Sequence, residues 1–114
     1  MTYLLQVRFN GADEVIHKLS ADEQEKITAE FVAIRKSSGV LAGNQLEAAS
    51  AGVTVRVSGG QTLVTEGPAV EGGTELNGYY IYDAPDLDAA IAFAARIPVA
   101  RMGGTVEVRA LMER

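Results

Sequence analysis

Residues 3–9 alternate strictly, with Tyr3, Leu5, Val7 and Phe9 on one side and Leu4, Gln6 and Arg8 on the other. A period of two with one apolar side predicts a half-buried strand. Asn10-Gly-Ala-Asp-Glu14 breaks the alternation and reads as a loop, with His17 between it and the next element. From Ser20 the period lengthens. Ser20-Ala-Asp-Glu23 has the form of a capping box, in which Ser20 accepts from a free backbone N–H and Glu23 reaches back to the Ser20 N–H. Asp22, Glu23 and Glu25 crowd the positive end of the helix dipole, and Arg35 and Lys36 sit at the negative end. Ile27, Phe31 and Ile34 form the buried stripe, and Gly39 stops the helix.

Val40 to Leu46 predicts a second strand, loosened by Gly43. Val53–Val57 and Gln61–Thr65 flank Ser58-Gly-Gly60, the signature of a hairpin. Residues 66–78, with Gly67, Pro68, Gly72, Gly73 and Gly78, read as a long loop, and long loops in small domains are often functional. Tyr79–Asp83 is a further strand. Pro85 breaks it, Asp86 caps the next helix, and Leu87, Ala90, Ile91 and Ala94 recur at helical spacing until Ile97-Pro98. Gly103-Gly104 turns into a last strand, Thr105 to Ala110.

The resulting order is β-α-β, a hairpin, then β-α-β. It predicts one α+β domain over residues 1–114, a ferredoxin-like antiparallel sheet with an inserted hairpin and both helices on one face. Each helix is apolar on a single stripe, so the other sheet face is left to something else. That open face takes Leu4, Gln6, Arg8, Thr105, Glu107 and Arg109, with either Tyr80 and Tyr82 or their neighbours Tyr79 and Ile81. In a ferredoxin-like order the first and last strands pair, which brings Arg8, Glu107 and Arg109 together. Two copies stacked on this face would enclose a cleft with apolar walls and a few convergent polar groups, the usual form of a small-ligand site.

Composition removes several classes of function. The chain of 114 residues has no Cys, one His and a net charge of −5. Disulfides, thiolate metal centres and cysteine nucleophiles are excluded, and a multi-histidine metal site is too. The acidic balance argues against nucleic acid, and no stretch approaches the ~20 apolar residues of a membrane span. No metal and no cofactor is expected, and the expected location is cytoplasmic. Between Arg56 and Arg96 there is no Lys or Arg, while Glu66, Glu71, Glu75, Asp83, Asp86 and Asp88 all fall there. Most of these suit a solvated surface or a helix start. One or two are available to a site.

Glu66-Gly-Pro-Ala-Val-Glu71, followed by Leu76-Asn-Gly-Tyr-Tyr-Ile-Tyr-Asp83, resembles the YCII-related superfamily in its DGPF branch. Ala84-Pro-Asp-Leu-Asp-Ala89, Ala95-Arg-Ile-Pro98, Thr105-Val-Glu-Val-Arg109, the opening Tyr3-Leu-Leu and the step Gly39-Val-Leu-Ala-Gly43 fit the same resemblance. It implies a ferredoxin-like fold that dimerises into an α+β barrel with clefts between the sheets, and in some members a His/Asp pair for acid–base work. This chain departs in three places. The motif Asp-Gly-Pro-Phe is Glu66-Gly-Pro-Ala69, a Lys-Glu pair is replaced by Gly73-Thr74, and His17 matches no motif histidine.

The candidate acid–base groups are therefore the motif-matched Glu66 and Glu71. Arg8, Arg101, Glu107 and Arg109 are candidates to hold or polarise a ligand, and Tyr80 and Tyr82 to wall it or to pack a dimer. The expected partners are a second copy of the chain and a small molecule. Two functions follow: a small-molecule enzyme of acid–base or lyase type working in a dimer cleft, or a binding or regulatory module using that cleft without turnover.

Overall fold

The computed structural model describes residues 1–70 and 73–113. Its main sheet is built around β1 (Thr2–Arg8), flanked on one side by β5 (Leu76–Asp83) and β2 (Val40–Gln45) and on the other by β6 (Thr105–Ala110). The order β2-β5-β1-β6 is antiparallel throughout, as the ferredoxin-like expectation requires. β3 (Val53–Ser58) and β4 (Gln61–Glu66) form a separate two-stranded sheet. Gly59 and Gly60, at φ 56° and 80°, give its turn the double left-handed geometry that matches strand twist.

α2 (Ala21–Arg35) and α3 (Leu87–Ala94) lie on one sheet face. Both start as expected: Ser20 Oγ accepts from the Glu23 N–H at 3.1 Å, and Asp86 Oδ1 from the Ala89 N–H at 2.8 Å. Beneath them the core gathers Tyr3, Leu5, Val7 and Phe9 of the first segment, Ile34 of α2, Ala90 and Phe93 of α3, and Ile97 and Val99 beyond it. No helix among the described residues is long and apolar enough to cross a membrane.

Two segments read as loops are ordered differently. Ala12–His17 is a short helix, α1, entered through Gly11 at φ 67° and favoured by Asp13 and Glu14 in its first turn and His17 in its last. β5 begins at Leu76, three residues early, because Asn77 Nδ2 donates to the Phe9 carbonyl at 2.8 Å and draws the loop's end onto β1. The last turn before β6 is equally tight. A Cβ on Gly104 would come within 2.7 Å of the Arg8 carbonyl oxygen and press on Val99. Gly104→Ala is therefore expected to cost about 1–3 kcal/mol, read as a lower midpoint in chemical denaturation with an unchanged slope.

Candidate functional site

The strand registers lay out the open face as rows. Asn44, Tyr79, Gln6 and Glu107 form one row across all four strands, and Ala42, Ile81, Leu4 and Arg109 form the next. The first row is polar, and Asn44 Nδ2 donates to the Tyr79 hydroxyl at 3.1 Å. The second is apolar except at Arg109. Arg8 lies at the end of β1, diagonal to Glu107, with its Nε 3.0 Å from Glu107 Oε1. The strand alternation thus brings together the pair the sequence predicts.

A cleft of about 980 Å³ opens beside that pair, between the sheet end and the segments before and after the hairpin. Arg8 and Glu107 border it, together with Glu47, Val53, Thr74 and Glu75. Arg8 donates from one terminal nitrogen to the Thr74 carbonyl at 3.1 Å, and its side chain is only 26% exposed against 50% for Glu107. Its Nε is shielded from solvent, yet no acceptor among the described residues is aligned with it; Glu107 pairs by proximity rather than by a directed hydrogen bond. Such a half-exposed pair contributes a few tenths of a kcal/mol. The second terminal nitrogen makes no hydrogen bond among the described residues, so the planar guanidinium keeps donor capacity toward an anionic or carbonyl oxygen in the cleft.

Glu75, which sequence reasoning left among the loop acids, is the cleft's strut. Its carboxylate accepts from the Ala49 N–H at 2.6 Å, its own N–H donates to Asn10 Oδ1 at 2.8 Å, and its carbonyl accepts from the Phe9 N–H at 3.0 Å. These bonds tie the chain before the hairpin to the chain after it. The only prior signal was the position of an acid at the end of a glycine-rich stretch.

The other candidates are dispersed. The register pairs Tyr3 with Tyr82 and Leu5 with Tyr80, which places both tyrosines on the helix side and corrects their assignment to the cleft wall. Tyr82 stacks on Phe93 with ring centroids 3.9 Å apart, and the open-face residues are instead Tyr79 and Ile81. Burial pushes the Tyr80 phenol above its ordinary pKa, partly offset by Arg35. Arg101 is also away from the cleft: its two terminal nitrogens donate to the Glu30 carboxylate at 2.7 and 2.5 Å on the helix side. Arg109 stays on the open face, opposite Leu4. Glu66 is exposed at the end of β4, opposite Val53, and does not border the cleft, although Gly67 and Pro68 do. Glu71 lies outside the described residues. His17 is exposed at the end of α1.

The hydrogen bonds from Arg101 hold the Glu30 carboxyl below the usual carboxylate range. A carboxyl depressed in the folded state stabilises above its unfolded pKa and loses that contribution as pH falls through its folded value. The thermal midpoint of Glu30→Gln is expected to lie slightly below that of the unmodified chain at pH 7. The gap should close as pH falls through and below about 4, followed by scanning calorimetry of both chains.

The fold and the open, arginine-bordered sheet place the molecule among small ferredoxin-like α+β proteins. Across residues 1–114 it matches the model of the YCII-related domain, and the chain belongs to that family. It is 32% identical over 105 residues to an uncharacterised protein of Rhizobium meliloti (strain 1021), covering 87% of this chain and 84% of that one. Among solved structures it is similar to a 5-chloro-2-hydroxyhydroquinone dehydrochlorinase from Burkholderia phenoliruptrix AC1100, in complex with 2,5-dihydroxybenzoquinone. That likeness has a TM-score of 0.54 at 14% identity, with 100% of this chain and 96% of that chain covered. At that identity the likeness concerns the fold.

Proposed function

We propose that the protein binds a small anionic molecule in the cleft beside Arg8, with a second copy of the chain closing the open sheet face. The observation that carries this is the half-buried Arg8 guanidinium, which borders a cleft of about 980 Å³ and has one terminal nitrogen without a hydrogen-bond partner among the described residues. Glu107 beside it limits affinity for simple anions and favours a ligand with both an acidic oxygen and a hydroxyl. A lyase-type turnover is the second reading, supported by the dehydrochlorinase with the similar fold. In that case Glu107, 3.0 Å from Arg8, would move a proton while Arg8 held the developing negative charge.

Thermal-shift titration separates these readings. The probes are 2,5-dihydroxybenzoquinone and small mono- and dicarboxylates. Binding to the folded state at 100 times the dissociation constant adds about 2.7 kcal/mol, a readily visible rise in Tm. The rise should vanish in Arg8→Gln, which leaves the core untouched. A panel that leaves the Tm unmoved, or a rise that survives Arg8→Gln, overturns the proposal. Turnover of a bound probe, lost in Glu107→Gln with binding retained, favours the enzyme; binding without turnover favours a regulatory module.

A further inference from the structure

The β3–β4 hairpin presents a surface that its own chain does not cover. Cross-strand pairing puts Val53, Val55, Val57 and Val64 on one face, together with Thr62 and Glu66. The four valines are 57–71% exposed. The base of the hairpin is closed on itself, where the Gly67 N–H donates to the Gly52 carbonyl at 2.8 Å and the Thr54 hydroxyl to the Gly67 carbonyl at 2.7 Å. A two-stranded hairpin standing alone is marginally stable in water. Four β-branched side chains on one face of it form the kind of contiguous apolar patch that soluble chains normally cover.

We propose that the hairpin is an arm whose valine face packs on the open sheet face of a second copy, carrying Glu66 toward that copy's arginines. Three observations select this occupant. The open face offers an apolar row, Ala42, Ile81 and Leu4. The only charge on the valine face is Glu66, and the open face carries Arg109, for which no carboxylate partner exists among the described residues. The cleft touches both surfaces, through Val53 of the hairpin and Arg8 and Glu107 of the sheet, so one partner can cover both. A two-fold axis then satisfies the arm and the sheet of each copy at once. The exposed position of Glu66 in its own chain becomes intelligible: it would complete the site of its partner rather than its own. This inference rests on the two-copy reading above.

The chain has no Cys, so single cysteines report cleanly. Val55→Cys and Ile81→Cys proteins are mixed, allowed to exchange subunits, and treated with a short bismaleimide. The expected product is a crosslinked heterodimer at several times the yield of either protein alone. Crosslinking of Val55→Cys with itself, or of Ile81→Cys with itself as the dominant product, overturns the arm arrangement. Val55→Glu supplies a second readout and should turn a dimer into a folded monomer in sedimentation velocity. A Val55→Glu protein that remains dimeric also overturns it. Thermal shifts by the probes above that still depend on Arg8 would, in that event, leave the ligand proposal standing.

Discussion

Leu5→Ala is expected to lower the unfolding free energy by roughly 3–5 kcal/mol. Leu5 is completely buried in the central strand, between Tyr80 and Val108 in the ladder and within the cluster that holds Ile34, Phe93 and Ile97. Its removal loses the transfer free energy of a full side chain and leaves a void that four antiparallel strands and two helices cannot close without breaking register. Domains of this size are stable by only about 5–15 kcal/mol, so the variant keeps a small remainder and its Tm falls by roughly 10–20 °C. Val32→Ala is the control. Val32 is exposed on α2, and its truncation is expected to change stability by no more than about 0.5 kcal/mol. Equal effects of the two substitutions in urea titrations would show that the core is not where the burial pattern puts it.

Features with local causes were legible from residues alone. The Ser20 cap, the Asp86 cap and the double-glycine turn of the hairpin each need only their own few neighbours and formed as expected. The returning half of the Ser20 box differs: Glu23 Oε1 accepts from the Ser20 hydroxyl at 3.0 Å rather than from its N–H. The pairing of β1 with β6, and with it Arg8 beside Glu107, followed from alternation and strand order together. What alternation cannot decide is which side of a strand faces the helices when both sides are apolar. Tyr79-Tyr-Ile-Tyr82 is such a strand. The choice is made across the sheet: a Cβ on Gly39 would sit 2.5 Å from the Tyr82 ring, and one on Gly43 would sit 2.6 Å from the Tyr80 ring. Those two glycines, four residues apart and facing two tyrosines two residues apart, are the signal that orients β5. The cleft was least legible because its strut, Glu75, acts through the backbone N–H groups of Ala49 and Phe9 and the side-chain oxygen of Asn10, contacts between distant segments that no local pattern announces.

Ile81→Lys is expected to abolish the dimer while leaving the protomer folded. Ile81 lies in the middle of the open face, between Leu4 and Ala42 in the ladder and away from the buried cluster. In an isolated protomer a lysine there lays its methylenes along the sheet and keeps its ammonium in water, so the fold loses little. Between two sheets the same ammonium would be stripped of water. Its row offers no carboxylate, only Ala42, Leu4 and the like charge of Arg109, and the one carboxylate the second copy's arm would bring, Glu66, would be spent on Arg109. Burying an unpaired charge costs several kcal/mol, and in a two-fold dimer the cost is met twice. At about 1.4 kcal/mol per tenfold change in affinity, even a nanomolar dimer would dissociate at micromolar concentration. Sedimentation velocity should therefore show the unmodified chain at twice the protomer mass and Ile81→Lys at the protomer mass, with superimposable far-ultraviolet circular dichroism. A monomeric unmodified chain at micromolar concentration, or a dimeric Ile81→Lys chain, would mean that the open face is not where two copies meet, and the cleft beside Arg8 would then have to hold its ligand with one wall exposed to solvent.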